Sequence, residues 1–451
     1  MFNKVLRTDN RSLPFFYASG SVGAGMFSAA PSVLLLYYLV AIVELPPFFA
    51  SIVIFVPKVW DVITDPLMGI ISDHTDSKYG RRHPYMMVGA ILTGVLFFLL
   101  FSVPSTWSDV AKLTYVCVTY ILCSTAYTAF IVPYVTLASE VSNSSRTTRA
   151  CVAYRMWAAL LGIAVASAGA PSLVGLFGGG YTGYSAMAAV LAVIMTSTML
   201  VSVFKTYEFS RSLRPSVKKV ESGQSSSIFR NLITQLQIIF SNQDFRWLAI
   251  CYFVQMCGVA SMSAALPFYI TSVLIQPEGY VGYAFLAILG GGIMAAPAIL
   301  RLTSVVGLQA LWIASNTVFV SSCLLFMIWS DDLSVLTGIA CFLLMGVGFA
   351  GGQIVPFMRL AIFLQHRNFS TEDKTVAAFS GVWIALEKMA LAMGPLIVGQ
   401  ILALTNVTAI AGEENNGTVV AFSVLPALLV ATSSAILLTL KSRNELWSVR
   451  S

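Results

Sequence analysis

Three charged residues lie inside one apolar stretch of the sequence, at residues 47–72. They are Lys58, Asp61 and Asp65. Asp61 and Asp65 are four residues apart, so on a helix they share one face, with Lys58 about one turn earlier. Two carboxylates on one face repel each other, unless a cation lies between them or one of them binds a proton. The spacing therefore indicates a site for a hard monovalent cation or a proton. The alternative is that Lys58 neutralises Asp61 and the cluster only holds helices together.

Three further charged residues stand out well inside apolar stretches, at Arg155, Glu387 and Lys388. A charged side chain at the centre of a bilayer costs at least about 2.5 kcal/mol, so such residues are functional candidates and usually face a cavity. Adjacent residues point about 100° apart on a helix, so only one of Glu387 and Lys388 is expected to face a cavity. Aromatic residues near these charges are candidate substrate contacts, although core packing is their commoner role. They are Tyr154, Trp157 and Trp383.

The composition requires a membrane environment for these charges. Of the 451 residues, 57% are hydrophobic and 10% are charged, and the mean hydropathy is +0.82. Soluble domains contain about 25% charged residues, so the chain is expected to be a polytopic membrane protein. A membrane-spanning helix needs about 20 apolar residues, and twelve such stretches are present. They are 13–43, 47–72, 84–104, 111–139, 150–177, 182–204, 246–275, 280–300, 308–329, 333–364, 375–405 and 418–440.

The loops between these stretches predict the orientation. If the sides alternate from a cytoplasmic start, the inner loops hold nearly all lysines and arginines, and the outer loops hold only Lys112. This partition predicts twelve helices with both termini cytoplasmic. The net charge of +6 therefore indicates membrane topology and no nucleic-acid partner. The low number of cysteines in loops and the lack of a recognisable targeting segment favour a bacterial inner membrane. The first apolar stretch is too long for a cleavable signal peptide.

The chain is predicted to consist of two six-helix halves. A polar loop at 206–244 separates a first half, 1–205, from a second half, 245–451. The segments 131–138 and 354–361 resemble each other, with a shared Ile-Val-Pro start. They lie six helices apart, as expected for a transporter that is built from two repeated halves.

The loop after the second apolar stretch reads DHTDSKYGRRHP, from Asp73 to Pro84. One interpretation is a tight basic turn that follows the positive-inside bias. The other is an ion-pair latch between helix ends, which would hold one conformation of a transporter. Its members would be Gly69, Asp73, Gly80, Arg81 and Arg82.

The same loop carries a resemblance to a known family. The pattern of Gly69 and Asp73 followed by Gly-Arg-Arg resembles the loop 2–3 signature of the major facilitator superfamily. The stretch WDVITDPLMG, followed by the spaced Asp, Thr, Ser, Gly and Arg at 73–81, is similar to the glycoside–pentoside–hexuronide:cation symporter family. This resemblance implies an all-α major facilitator fold whose two halves alternate access. It also implies cation-coupled symport of a sugar-like solute.

The resemblance assigns roles to individual residues. Asp61 and Asp65 match the helix-two carboxylates that are associated with the cation, which would be Na⁺ or H⁺. Lys58 occupies a position that is commonly basic in the family. Arg155 matches a helix-five arginine near the substrate and the cation, and Lys388 matches a helix-eleven lysine implicated in coupling.

Two positions depart from the sugar-transporting members of the family. Gly25 stands where they have a helix-one aspartate that hydrogen-bonds the substrate, and Ile131 stands where they have a helix-four aspartate near the cation. Lysolipid symporters of the same superfamily share the helix-two pair, the helix-eleven lysine, a Val-Pro-Tyr stretch and an Ala-Tyr-Arg-Met stretch. An amphipathic or lipid-like substrate is therefore an alternative to a glycoside.

Other classes of function remain as alternatives. A proton-coupled carrier would use the same carboxylates, and a non-transporting receptor or scaffold could keep the fold. The sequence shows no nucleophile–base or metal-ligand spacing that would support an enzyme. We expect a monomer in the lipid bilayer, with an organic solute and a monovalent cation as its partners. No cofactor other than the coupling ion is expected.

Overall fold

A computed structural model describes residues 12–75, 77, 79–137, 145–212, 241–328, 335–366, 373–405 and 416–441. Within these ranges the chain forms helices joined by short turns, and we number its twelve long helices α1 to α12. In the first part of the chain they are Leu13–Ala30, Pro47–His74, His83–Leu100, Asp109–Leu137, Ser145–Ala164 and Gly180–Ser212. In the second part they are Gln243–Phe268, Tyr280–Val306, Leu308–Ile328, Val335–His366, Asp373–Leu404 and Leu425–Lys441.

Four of these helices are extended by other helical segments. The segments Pro31–Leu35 and Tyr38–Ile42 follow α1 and are π-helical, as is Tyr269–Val273 after α7. A π-helical segment, Val165–Gly169, joins α5 to the short helix Ala170–Leu176. The short helix Asn416–Val419 and the π-helical segment Val420–Val424 precede α12.

Twelve segments of the described chain are long and apolar enough to cross a membrane. The predicted count of spanning helices is therefore confirmed. The edges differ from the prediction around the central loop, because α6 continues to Ser212 and α7 begins at Gln243. The remainder of that loop, 213–240, lies outside the described residues.

The chain divides into two compact units, Met1–Lys218 and Lys219–Ser451. In the first unit α1 packs against α5 and α6, α3 packs against α4 and α6, and α2 packs against α4. In the second unit α7 packs against α11 and α12, α9 packs against α10 and α12, and α8 packs against α10. Adding six to each helix number of the first unit gives the helix numbers of the second, so the five helix pairings are the same in both units. The repeat that the octapeptides indicate thus extends to the packing within each unit.

Both units also contain the same cluster of three aromatic rings. One ring comes from the π-helical end of the first helix, one from the end of the third helix, and one from the start of the sixth. The ring centroids are 4.3 to 6.3 Å apart, and such packing adds to the burial of apolar surface. The members are Tyr38, Phe101 and Tyr184 in the first unit, and Tyr269, Phe326 and Phe422 in the second.

Two glycines allow α1 and α5 to pack with their backbones in contact. A Cβ atom on Gly25 would overlap the carbonyl oxygen of Ala159, and a Cβ atom on Gly162 would overlap that of Val22. No larger side chain fits at either glycine while the two helices keep this distance. The position where sugar-transporting relatives carry an aspartate is therefore occupied here by a helix–helix contact.

Candidate functional site

The candidate cation site lies where α2 packs against α4. Three residue pairs connect the two helices, and the members of each pair are 63 positions apart. A constant offset means that the helices run parallel and in register, because both rise by the same distance per residue. As a result, successive turns of α2 meet successive turns of α4. The pairs are Asp61 with Ser124, Asp65 with Thr128 and Gly69 with Val132.

Asp61 is buried within this interface, with 6% of its surface exposed. The hydroxyl group of Ser124 donates a hydrogen bond to its Oδ1 atom, and Lys58 Nζ lies 3.9 Å from its Oδ2 atom. That separation is longer than a hydrogen bond, so the ion pair is a loose one. The Lys58 ammonium also lies 5.6 Å from the centroid of the Tyr120 ring and 5.9 Å from that of Phe27. These aromatic faces partly replace water around the lysine.

Asp65 lies one helical turn further along α2 and is half-buried. The Thr128 hydroxyl donates a hydrogen bond of 2.7 Å to its Oδ1 atom. Each carboxylate of α2 is therefore met by one hydroxyl group of α4. Together they provide oxygen atoms of the kind that hard cations bind.

Sequence reasoning identified both carboxylates but neither hydroxyl. Ser124 and Thr128 are themselves four residues apart, which matches the spacing of Asp61 and Asp65. This matched spacing on two helices is the signal that could have revealed them. The intervening Thr125 has a different partner, since it accepts a hydrogen bond of 3.0 Å from the indole nitrogen of Trp60.

Ile131 also lies on α4, three residues after Thr128. It is partly buried and packs against a hydrophobic cluster of the first unit that includes Tyr17, Phe130 and Tyr134. An isoleucine cannot bind a cation, and the glycine at position 25 has no side chain. Of the four positions where sugar-transporting members of the family have an aspartate, only the two on α2 carry a carboxylate in this chain.

The candidate substrate residues of the first unit lie on α5. Arg155 is half-buried and forms no ion pair or hydrogen bond with any described residue. It lies close enough to Tyr17 and Tyr134 to act on their hydroxyl groups electrostatically. Its neighbours Tyr154 and Trp157 are 53% and 75% exposed. The helix thus presents a guanidinium group next to exposed aromatic surface.

The candidates of the second unit lie on α11. Lys388 and Glu387 are half-buried. Trp383 is fully buried, and its ring stacks on that of Tyr252 with a centroid distance of 4.3 Å. Trp383 therefore belongs to the core of the second unit. The structure does not test the predicted coupling role of Lys388.

The loop between α2 and α3 is attached to α4. Gly80 has a φ of 93°, which favours glycine, and its amide donates a hydrogen bond of 2.9 Å to Ser77. Arg82 is 7% exposed and donates a hydrogen bond to the Thr136 hydroxyl near the end of α4. The side chain of Asp73 lies outside the described residues. The ion-pair latch therefore stays a prediction.

A carboxyl group outside the membrane-spanning segments, that of Glu278, has a strongly raised pKa. Glu278 lies in the turn before α8, and its Oε2 atom is buried without a hydrogen bond to any described residue. Burial raises the pKa of Glu278 from 4.5 to about 7. This group is expected to change its charge near neutral pH.

The helix pairings and the charged α2–α4 interface describe a polytopic membrane transporter of the major facilitator fold. The crystal structure of nucleoside transporter NupG matches 96% of this chain and 98% of its own chain, with a TM-score of 0.66 and 11% sequence identity. That similarity shows the fold. The chain belongs to the family described as MFS/sugar transport protein, whose model matches residues 16–444. The family that the sequence motifs indicated is thereby confirmed.

Two relatives represent the two substrate classes that the sequence left open. The chain is 26% identical over 432 residues to the putative glycoside/cation symporter YagG of Escherichia coli K12, covering 92% of this chain and 88% of that protein. It is 31% identical over 161 residues to the sodium-dependent lysophosphatidylcholine symporter 1-B of Danio rerio, covering 36% of this chain and 30% of that protein. The first similarity extends over nearly the whole chain.

Proposed function

We propose that this protein is a secondary symporter that couples a monovalent cation to an organic solute. The cation binds between α2 and α4 at Asp61 and Asp65. The observation that supports this most directly is the pairing of each carboxylate with a hydroxyl group, from Ser124 and Thr128 respectively. A purely structural ion pair between Lys58 and Asp61 would not require the second carboxylate or its hydroxyl partner.

Sodium is our first choice of cation. A hydroxyl oxygen keeps lone pairs that can face a metal ion when its proton turns away from the carboxylate. Two carboxylates and two hydroxyls thus form an oxygen-rich site with a negative charge that the ion neutralises. A proton is the alternative, because Gly25 and Ile131 remove the two other acidic positions. Cation binding would reduce the net negative charge on α2 and allow the loaded carrier to change conformation.

A glycoside is our first choice of solute, because the similarity to the glycoside/cation symporter YagG covers 92% of the chain. An amphipathic solute is the second candidate. It is favoured by the exposed apolar surface that surrounds Arg155 on α5, where the guanidinium could bind an anionic group. Transport, and no enzymatic activity, follows from this proposal. We place the protein in a bacterial inner membrane with both termini in the cytoplasm.

Thermal unfolding of the detergent-purified protein tests the cation site. The melting temperature would be measured in sodium, lithium and potassium and across pH, for the natural protein and for Asp65→Asn. Asp109→Asn is the matched control, because Asp109 is an exposed carboxylate at the start of α4. We expect sodium to raise the melting temperature of the natural protein and the control, since a ligand that binds only the folded state stabilises it.

The possible outcomes separate the alternatives. A rise with sodium that disappears in Asp65→Asn supports a sodium site at the α2–α4 interface. A response to pH alone, also lost in Asp65→Asn, identifies a proton-coupled carrier. If Asp65→Asn responds to sodium as strongly as the control does, the proposed site is wrong.

A further inference from the structure

The two units place opposite charges at corresponding positions of α5 and α11. Gly162 of α5 and Gly394 of α11 correspond, since each lies in close contact with the first helix of its own unit. Arg155 lies seven residues before Gly162, and Glu387 lies seven residues before Gly394. The repeat therefore relates the arginine of the first unit to the glutamate of the second. Sequence analysis gave Arg155 a role but gave Glu387 none.

Glu387 lies next to two buried aromatic side chains with unused hydrogen-bonding groups. Trp383 is one helical turn before Glu387, on the same face of α11. Tyr252 of α7 stacks on Trp383 with an angle of 13° between the rings. Both aromatic residues are fully buried, and neither the Tyr252 hydroxyl nor the Trp383 indole nitrogen hydrogen-bonds a described residue. Buried polar groups normally have a partner, so these two require an explanation.

The Tyr252 hydroxyl approaches the Glu387 carboxyl group. It lies close enough for an electrostatic interaction, although the pair does not meet the distance and angle of an ordinary hydrogen bond. A hydroxyl group can donate to a carboxylate or accept from a carboxylic acid, so Tyr252 is a possible partner for Glu387 in either protonation state. Two donors and one carboxyl group thus form a polar cluster inside the core of the second unit.

The charged groups around Glu387 lie on α11 itself and on the elements that pack against it. Glu387 forms no ion pair with a described residue, and Lys388 projects about 100° away from it on α11. The elements that pack against α11 are α7, the two short helical segments before α12, and α10, whose Phe357 ring lies 5.9 Å from that of Trp383. The charged residue of α10 closest in sequence to Phe357 is Arg359. On α7 the titratable group that faces Glu387 is Tyr252, whereas Asp244 and Arg246 lie at the start of the helix. The short segments contain no charged residue.

We propose that Glu387, Tyr252 and Trp383 form a proton-binding site in the second unit. An ionised carboxylate at membrane depth without a cation is costly, and a bound proton removes its charge. One proton from solvent would form an O–H bond with a carboxylate oxygen of Glu387. The protonated group would donate to the Tyr252 oxygen, whereas the ionised group would accept from the Tyr252 hydroxyl and the Trp383 indole. Both states would therefore have hydrogen-bond partners.

This site is independent of the proposed cation site, because it uses none of the residues of α2 and α4. If both exist, the carrier can bind a proton in addition to the cation. The proton site would then make transport depend on pH even if sodium is the coupling ion at Asp61 and Asp65.

Infrared difference spectroscopy of the full-length protein in liposomes tests the proposal. The carbonyl stretch of protonated carboxyl groups would be followed over a range of about pH 5 to 9, which lies above the ordinary carboxyl pKa of about 4, so that ordinary carboxylates stay ionised and do not contribute. An Asp61→Asn/Asp65→Asn/Glu278→Gln background removes the signals of the α2 carboxylates and of Glu278, whose pKa of about 7 lies in the same range. We expect a pH-dependent carbonyl band to remain in that background and to disappear when Glu387→Gln is added.

Two further variants complete the experiment. Tyr252→Phe keeps the ring that stacks on Trp383 and removes the hydroxyl, so it is expected to shift the frequency of the band. Glu208→Gln is the control, because Glu208 is an exposed carboxylate that pairs with Lys205 at 3.1 Å. It is expected to leave the band unchanged.

A band that persists when Glu387→Gln is added to the Asp61→Asn/Asp65→Asn/Glu278→Gln background, or that is already absent from that background, would overturn the proposal. If Glu387→Gln does not fold, Tyr252→Phe decides in the same way. An unshifted band in Tyr252→Phe would then place the titrating group elsewhere. Failure of the cation site would be seen separately, as a melting temperature that does not respond to sodium.

Discussion

The interface between α2 and α4 in the first unit has a counterpart between α8 and α10 in the second. Both are pairings of the second and fourth helices of a repeat, and the middle of α2 and of α8 contains a proline. In the first unit the facing side chains are carboxylates and hydroxyls, whereas the second unit has small residues there. Counted from Pro66 and Pro297, Asp61 corresponds to Gly292 and Asp65 corresponds to Ala296.

The two interfaces also differ in how closely the helices approach. A Cβ atom on Gly291 of α8 would overlap the backbone of Leu343, and one on Gly346 of α10 would overlap the backbone of Ile288. On α2, by contrast, a Cβ atom on Gly69 would lie 3.8 Å from the Val132 side chain, which is ordinary contact. The repeat thus preserves the helix pairing, while one copy contains polar side chains and the other contains a backbone contact. Chemistry at this pairing is possible only where side chains occupy the interface.

The largest expected difference between the two interfaces is in their response to a glycine-to-alanine substitution, which adds one methyl group. Gly346→Ala forces α8 and α10 apart, and overpacking of this kind costs about 1–3 kcal/mol or more. Gly69→Ala, the matched change in the first unit, finds ordinary van der Waals space. We expect Gly346→Ala to lower the melting temperature and the yield of folded protein strongly. Gly69→Ala should leave both nearly unchanged.

Size-exclusion profiles and thermal unfolding in detergent measure this difference. Equal stability of the two variants would mean that the interfaces do not differ as described. A larger loss for Gly69→Ala than for Gly346→Ala would reverse the comparison.

The next effect concerns the hydroxyl groups of α4 that contact the carboxylates of α2. Thr128→Val keeps the shape of the side chain and removes the oxygen that contacts Asp65. The loss of one such interaction costs about 1–1.5 kcal/mol, which corresponds to roughly a tenfold weaker cation affinity. Sodium titrations of the melting temperature would measure it. For a proton-coupled carrier the same variant would shift the pH midpoint instead.

Thr125→Val is the control for this prediction, because Thr125 contacts Trp60 and neither carboxylate. The two variants lie within one helical turn of each other, so general damage to α4 would affect both. Equal weakening in the two would show that the Thr128 hydroxyl does not act on the cation.

The sequence was sufficient to predict the twelve helices, because apolar length and the distribution of charges both depend on local composition. It was also sufficient for the carboxylate pair, since Asp61 and Asp65 are on the same helix. It could not predict that Ser124 and Thr128 meet them, because that contact depends on the register between α2 and α4. Side-chain packing sets this register, and the spacing of residues along one helix does not contain it.

Trp383 illustrates the same limit. Its position beside charged residues indicated a possible substrate contact, but the structure buries it completely against Tyr252. The apolar sequence around a tryptophan in a membrane-spanning segment is the same whether its ring faces a cavity or the core. The face that it occupies is decided by the contact between α7 and α11.

The smallest expected effect compares the outer turns after the first helix of each unit. Both turns contain a non-glycine residue with positive φ, Glu44 at 63° and Ile275 at 52°. Glu44 is exposed, whereas the nearby Glu278 of the second unit is partly buried and has a pKa raised to about 7. Between about pH 4.5 and 7 the folded protein holds a proton on Glu278 that the unfolded chain has released. The stability that the neutral carboxyl group provides is therefore present at low pH and is lost as pH rises through 7.

Glu278→Gln removes this cost, because the amide stays neutral. We expect the variant to have a melting temperature about 2–4 °C above that of the natural protein at about pH 8, and an equal one at about pH 4.5. Glu44→Gln should show no such difference between the two pH values, because its carboxylate is in water. A Glu278→Gln variant that gains as much at low pH as at high pH would show that the effect comes from side-chain packing and not from the charge. In that case the two turns would differ only in the shape of the residues that they bury.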